Sequence, residues 1–423
     1  MPRRFLEERA YYSPKWVREL ENYVKEIMDE VRKNGDKALA NFIKKYDGVK
    51  VDLDKFMVER EEIDKAYESI KEDEVSALKF SKRRIEDFQK TLLKRLKFKW
   101  YDEEKDVKVI NLTLPIESVG CYVPGGYSPY PSSLLMAVVP AKIAKVPRIA
   151  ICSPPMSDGK LNPILLVAAD ICGVDEIYKI GGAHAIAALA YGTESIKPVK
   201  KIVGPGNKYV TTAKMIASKD VAVDMPAGPS EILIIADDSA NPYFIALDLI
   251  SQAEHSPESI CGLVTTSKEL ASKVISELEK AMANIARAEI IKKALTQNGF
   301  ILICDGMNEA IDFMNDFAPE HLEIVAKRDN EIIEQIKSSG MVFLGPYSPV
   351  SAGDYCIGTN HILPTGGSSK FYSNLSVIDF IKRVSVVKCS KKGLQKMIKP
   401  ISILARKEGL INHAIAVEER FKD

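Results

Sequence analysis

The side chains in this sequence equipped for chemistry are few and lie in short polar stretches. It has only five histidines, His184, His255, His321, His361 and His413. His255 closes Ser251-Gln252-Ala253-Glu254-His255, where Gln252 and His255, three apart, project from one face at the end of an apolar helical run. Two readings are open there: an imidazole meeting the negative end of the helix dipole, or a ligand holder. With Asp354 and His413 added, the set offers two imidazoles, a carboxylate and an amide oxygen. Such donors suit zinc with open positions better than a structural zinc, which normally takes cysteine, although they also bind manganese or cobalt. Glu320-His321 is either an acid–base pair, if burial raises the carboxyl toward neutrality, or a surface turn. His361 ends the polar stretch from Gly353, which reads as a long loop of a kind uncommon without a function.

The elements that must position these residues follow from periodicity and punctuation. The helix before His255 opens with Asn241 as N-cap and Pro242 at its first position, and must stop near Pro257. Residues 16–46 read as two amphipathic helices joined at Asn34-Gly35, and 60–97 as a charged helical region with a solvated face. From residue 108 short strands alternate with helices, the grammar of βαβ units and parallel sheets. Strands near Tyr122, Ile180 and Val203 each run into a Gly- or Pro-rich loop, where open α/β sheets hold ligands. Tight turns would use the same glycines, and the Gly-x-Gly-x-x-Gly fingerprint is absent.

A second alternating set begins at Ile232. The fold class is therefore α/β: two Rossmann-like domains, incomplete and with parallel sheets, one inserted in the other, plus small terminal segments. The expected division is an N-terminal arm 1–22, a larger α/β domain 23–115 and 232–370, an inserted domain 116–231, and a C-terminal helical segment 371–423. In that last segment a helix from Gly393 onward carries Glu408 and His413 near its end.

A formal net charge of +1 argues against nucleic acid as a partner. No run of about 18 apolar residues suggests a membrane span, and the first residues lack the apolar core of a signal peptide, so the expected location is the cytoplasm. The seven cysteines are scattered and never form C-x-x-C, which disfavours disulfides and a cysteine-built zinc site.

Taken together the motifs resemble histidinol dehydrogenase. The resemblance rests on Tyr122-Val123-Pro124-Gly125-Gly126, Gly204-Pro205-Gly206-Asn207-Lys208-Tyr209-Val210, and Asp224-Met225-Pro226-Ala227-Gly228-Pro229-Ser230-Glu231. It continues in Gln252-Ala253-Glu254-His255, Ala318-Pro319-Glu320-His321-Leu322-Glu323, and Ser351-Ala352-Gly353-Asp354-Tyr355 through His361. Gly35-Asp36-Lys37-Ala38-Leu39 and Tyr46-Asp47-Gly48 extend it toward the N-terminus. The resemblance implies oxidation of L-histidinol to L-histidine through L-histidinal, with two NAD consumed and one zinc per subunit. It implies zinc ligands at Gln252, His255, Asp354 and His413, the last from the partner subunit of a homodimer with a shared active site. Glu320 and His321 then form the acid–base pair. Ser230, His361 and Glu408 join His321 and the zinc ligands in contacting substrate, and Tyr122, His184 and Asn207 occupy cofactor positions.

One of those positions departs from the family pattern. The usual Gly-Gly-Ala-Gln is Gly181-Gly182-Ala183-His184 here, an imidazole in place of an amide. An imidazole does not present both faces of an amide at once, so NAD affinity or its pH dependence is the property this exchange touches.

Overall fold

The computed structural model describes residues 14–422, except 51, 53, 54, 97, 98, 103, 105, 126, 127 and 175. Most of the expected arm 1–22, and Gly126 and Tyr127 of the glycine-rich loop, lie outside the described residues.

Two five-stranded parallel sheets share one plan. In the first, β3 (Ser118–Tyr122) is central, with β4 (Arg148–Ser153) and β5 (Glu176–Lys179) to one side and β6 (Lys201–Val203) and β7 (Ala222–Val223) to the other. In the second, β8 (Glu231–Ala236) is central. It is flanked by β9 (Ile260–Thr265) and β10 (Gly299–Ile303) on one side, β11 (His321–Val325) and β12 (Met341–Leu344) on the other. Because the first strand made is the middle one, connections diverge beside it and leave a crevice at the strand ends. The α/β class with two parallel-sheet, Rossmann-like halves is thus the observed one.

The second sheet shows why the sequence folds this way. Every residue of β8 is buried, as a strand covered on both faces requires. Ile232 and Ile234 face Ile245, Leu249 and Ile250 of the Pro242–Ala253 helix, whereas Leu233 and Ile235 face Phe313, Met314 and Phe317 of the Met307–Phe317 helix. Truncating fully buried Phe317 to alanine would cost about 3–5 kcal/mol. On the first sheet, the Pro14–Tyr46 helix packs against the Gly182–Tyr191 and Lys208–Ala217 helices through Val24, Ile27, Leu39 and Ile43. It bends at Gly35 (φ 49°, ψ −132°), where a Cβ would strike the Glu194 carboxylate that accepts the Asp36 N–H at 2.7 Å.

The described chain divides into two compact units. One runs to Gln89 and from Ile116 to Phe380, and holds both parallel sheets. The other joins Lys90–Pro115 to the residues from Ile381 onward. Its antiparallel sheet has the order β1 (Lys99–Asp102), β2 (Val107–Pro115), β13 (Ile381–Cys389), accompanied by helices Lys391–Lys407 and Ile411–Glu418.

Several local expectations change. The stretch from Gly353 to His361 is not all loop, because a short helix, Val350–Tyr355, carries Asp354. A tertiary contact makes it: the buried Glu323 carboxylate accepts the first helical N–H, that of Val350, at 2.9 Å. The C-terminal helix is two helices, since Gly409 (φ 76°) ends the first in a left-handed turn, with Leu410 N–H donating back to Ala405 O at 2.8 Å. The charged region likewise splits into Arg60–Ser69 and Glu72–Arg95. No helix among the described residues is long and apolar enough to cross a membrane.

Candidate active site

Glu320 and His321 arrive together at the amino end of the second sheet. After the Met307–Phe317 helix, Ala318 takes a left-handed turn (φ 50°), and the chain enters β11 at His321, alongside Ile232 of β8. Both side chains are buried, Glu320 at 7% exposure and His321 at 4%, so this is no surface turn. His321 Nδ1 lies 2.9 Å from the Glu231 carbonyl oxygen. A carbonyl only accepts, so Nδ1 bears a hydrogen and Nε2 is the atom at which a proton comes and goes. Buried Nε2 meets no hydrogen-bond partner and stands 3.9 Å from Asp354 Oδ1. Burial alone would lower this imidazole's pKa, but the carboxylates of Glu320 and Asp354 and the Glu231 carbonyl outweigh it and hold the pKa at about 9.

Asp354 and His361 form the facing wall. His361 donates from Nδ1 to the Asp354 carbonyl at 2.8 Å, and its Nε2 lies 3.0 Å from Ser133 Oγ, on the Pro131–Ile143 helix of the first sheet. Burial pushes the His361 pKa down, with His321 and His255 adding to the effect and Asp354 opposing it. His255 is therefore an electrostatic neighbour of this group. It lies just past the C-cap of the Pro242–Ala253 helix, which Asn241 caps as expected through Tyr243 N–H at 2.9 Å, while Gln252 is buried in its last turn. Half-buried Ser230 leads into β8. Glu408 and His413 belong to the second unit, where both are exposed.

Among the described residues no group of three His, Cys, Asp or Glu side chains stands ready to hold a metal ion. The unit with the parallel sheets contributes an amide, an imidazole and a carboxylate to the expected set, and His413 is in the other unit. By chemistry those donors fit zinc with room for a substrate.

A cavity of about 480 Å³ opens at the carboxyl ends of the first sheet's strands and collects Tyr122, His184 and Asn207. Tyr122 ends β3, and its hydroxyl accepts the Gly182 N–H at 3.1 Å. Asn207 caps the Lys208–Ala217 helix through Tyr209 and Val210 N–H, so a helix N-terminus faces the cavity. Gly204, at φ 118°, admits no side chain, since a Cβ would lie 2.1 Å from the Tyr122 carbonyl oxygen. It is held from both sides. Its N–H donates to Asp224 Oδ2 at 2.7 Å and its carbonyl accepts from Lys214 Nζ at 2.9 Å, and Lys214 and Asp224 form a buried ion pair.

His184 is 2% exposed, with no hydrogen-bond partner at either ring nitrogen. It packs instead in an aromatic group, stacked on Tyr46 (centroids 6.0 Å apart) and tilted against Phe42 (5.6 Å). Burial lowers its pKa to about 3, so the imidazole is neutral across the physiological range.

Comparison with known proteins decides the family. The sequence description of histidinol dehydrogenase matches residues 13–421. The chain belongs to the histidinol dehydrogenase family. The histidinol dehydrogenase of Methanocaldococcus jannaschii is 48% identical over 403 residues, 94% of this chain and 92% of its own length. That of Clostridium acetobutylicum is 47% identical, with 94% and 92% covered. The crystal structure of histidinol dehydrogenase from Elizabethkingia anophelis superposes with a TM-score of 0.91 at 39% identity, covering 95% of this chain and 92% of that one. As a histidinol dehydrogenase the chain is an oxidoreductase that oxidises histidinol in histidine biosynthesis.

Against the histidinol dehydrogenase pattern, sequence reasoning passed over several residues. Tyr23, Tyr46, Asp47 and Tyr209 also line the cavity. Asp47 sits in the Tyr46-Asp47-Gly48 motif, and its position there was the available signal. Burial raises its carboxyl pKa to about 6, and its Oδ2 is buried without a partner. Glu231 lies in the Gly228-Pro229-Ser230-Glu231 motif, yet as the first residue of an apolar strand it carries no signal beyond being an acid where burial is expected. Cys121, beside the cavity loop, is fully buried, and burial drives its thiol far above the usual range, so it packs as a small apolar side chain.

Proposed function

We propose that the chain carries L-histidinol through L-histidinal to L-histidine in two NAD-linked oxidations, working in the cytoplasm as a homodimer with a shared active site. The observation that supports this reading best is the buried Glu320–His321 pair facing Asp354 and His361. In this reading 116–231 is the NAD-binding part, 23–115 with 232–370 the larger domain, and 371–423 the dimerisation segment. Gln252, His255 and Asp354 hold zinc, one per subunit, together with His413 of the partner subunit. When bound, zinc anchors the substrate's imidazole and amine as a Lewis acid without redox change, and NAD accepts hydride.

The chain's own residues do the rest. Ser230, His361 and Glu408 orient the substrate with the zinc ligands and His321, and Tyr122, His184 and Asn207 line the cofactor cavity. In its neutral form, which gains as pH rises toward about 9, His321 removes the hydroxyl proton at Nε2 as hydride departs, oxidising the alcohol to the aldehyde. Glu320 then deprotonates the water that adds to the aldehyde. Its Oε2 is engaged with Glu231 N–H at 2.8 Å, which leaves Oε1 for this task. Once Nε2 has released that first proton to solvent, His321 takes the hydrate's hydroxyl proton in the second oxidation, which ends at the carboxylate.

The test is to follow reduced nicotinamide with histidinol and with histidinal as substrates, before and after chelation. Two NADH per histidinol, loss of turnover on chelation and recovery on adding zinc are expected. One NADH per histidinol, or turnover indifferent to chelation, would overturn the corresponding part.

A further inference from the structure

We infer that Glu231 is a positioning residue of the histidinol-oxidising site, fixing where Glu320 and His321 stand and tying both to the loop behind His361. Glu231 is fully buried at the head of β8, next to Glu320 at the head of β11. The two acids bond reciprocally. Glu231 N–H donates to Glu320 Oε2 at 2.8 Å, and Glu320 N–H donates to Glu231 Oε2 at 3.4 Å. The Glu231 carbonyl takes the His321 Nδ1 hydrogen at 2.9 Å, which turns Nε2 toward Asp354. Its second carboxyl oxygen, Oε1, accepts the Gly366 N–H at 3.1 Å. The ties to Glu320 Oε2 and His321 Nδ1 come from the Glu231 backbone, and its carboxylate holds that backbone in place by accepting Glu320 N–H at Oε2 and Gly366 N–H at Oε1, which anchors the Thr365-Gly366-Gly367 turn that follows His361.

Placing a second acid beside Glu320 in a buried strand end carries a desolvation cost that folding alone does not call for. A backbone amide at each carboxylate offsets that cost, and what the arrangement provides is a fixed geometry for the reacting groups. The same two segments are also joined by Gly228 N–H donating to Thr365 Oγ1 at 2.5 Å, a tie that touches neither Glu320 nor His321. Loop docking and catalytic positioning are therefore separable.

The inference rests on the acid–base roles proposed for Glu320 and His321, and the experiment keeps the two apart. Glu231→Gln preserves volume but puts an amide N–H where a carboxyl oxygen now meets a backbone N–H. Thr365→Val cuts the other tie and leaves Glu231 intact. Steady-state kinetics with histidinol and with histidinal, measured below the onset of unfolding, should show Glu231→Gln lowering kcat about 10- to 100-fold in both, with KM changed less than about 3-fold. Thr365→Val should hold kcat within about 3-fold. Wild-type kcat in Glu231→Gln, a change confined to KM, or an equal loss in Thr365→Val would overturn the inference. Glu320→Gln and His321→Asn run alongside. Wild-type turnover in those two would overturn the acid–base assignment itself, whereas their failure beside an active Glu231→Gln condemns the Glu231 inference alone.

Discussion

His321 Nε2 and Asp354 Oδ1 stand 3.9 Å apart. The residue assigned to proton transfer therefore borders one assigned to metal binding, and the two tasks fall to different atoms. Variants should separate them.

Glu320→Gln should impair histidinal oxidation more than histidinol oxidation, because only the second oxidation needs a hydrated aldehyde. His321→Asn should lower both, by about 10²- to 10⁴-fold. Half-reaction rates with each substrate check this, and equal losses in Glu320→Gln for the two would end the division of labour.

The proposed donation of His413 across a homodimer has an arithmetic signature. His255→Ala and His413→Ala homodimers should each be inactive, but subunit exchange between them concentrates both lesions in one site of each mixed dimer and leaves its other site whole. Random mixing should restore activity to about a quarter of the sites. Activity that stays at the level of the parents would place His413 in the site of its own subunit.

His184→Gln should retain turnover and change the acid stability of the fold. The folded pKa of about 3 lies below the unfolded value of about 6.5, so between them the unfolded chain binds the extra proton and stability falls as pH drops through that window. Between pH 7 and pH 5 this group alone accounts for a loss of about 2 kcal/mol, which the glutamine variant should not show. Urea unfolding of both proteins at the two pH values measures the difference. A complete loss of turnover would mean the imidazole has acquired a role of its own.

Lys214→Met removes the cation from buried Asp224 and should cost about 3–5 kcal/mol, while Lys214→Met with Asp224→Leu recovers part of it. Because the pair grips Gly204 by N–H and carbonyl, the single variant should also raise the KM for NAD more than that for histidinol. Equal changes in the two constants would detach this clamp from the proposed NAD cavity.

Much of the fold was legible because its signals are local. Ile232 to Ala236 reads as a buried strand from composition alone, and Asn241-Pro242 announces a helix that Asn241 does cap. The first-sheet cavity was legible because glycine loops follow its strands. The Glu320–His321 end of the second sheet was not legible from that rule. Glu320 and His321 sit at the amino ends of parallel strands, opposite to where open sheets ordinarily hold ligands, and the two residues alone left an acid–base pair and a surface turn both open until the family resemblance favoured the first. The Val350–Tyr355 helix was missed because it is stabilised by Glu323 from another strand, a contact that no window of neighbouring residues contains. Asp47 and Glu231 were missed for a related reason: their importance lies in what lies across from them.

The pairing of β13 with β2 also bears on how the chain reaches this state. The two strands align along nine residues, from Ile381 opposite Pro115 to Cys389 opposite Val107, although both parallel sheets are encoded between them. During synthesis β2 emerges early and waits, one edge unpaired, while the intervening chain is made. Contacts so distant in sequence close slowly. Refolding should therefore be biphasic, with the parallel sheets first and the unit bearing Glu408 and His413 afterwards, so that recovery of histidinol oxidation lags recovery of secondary structure.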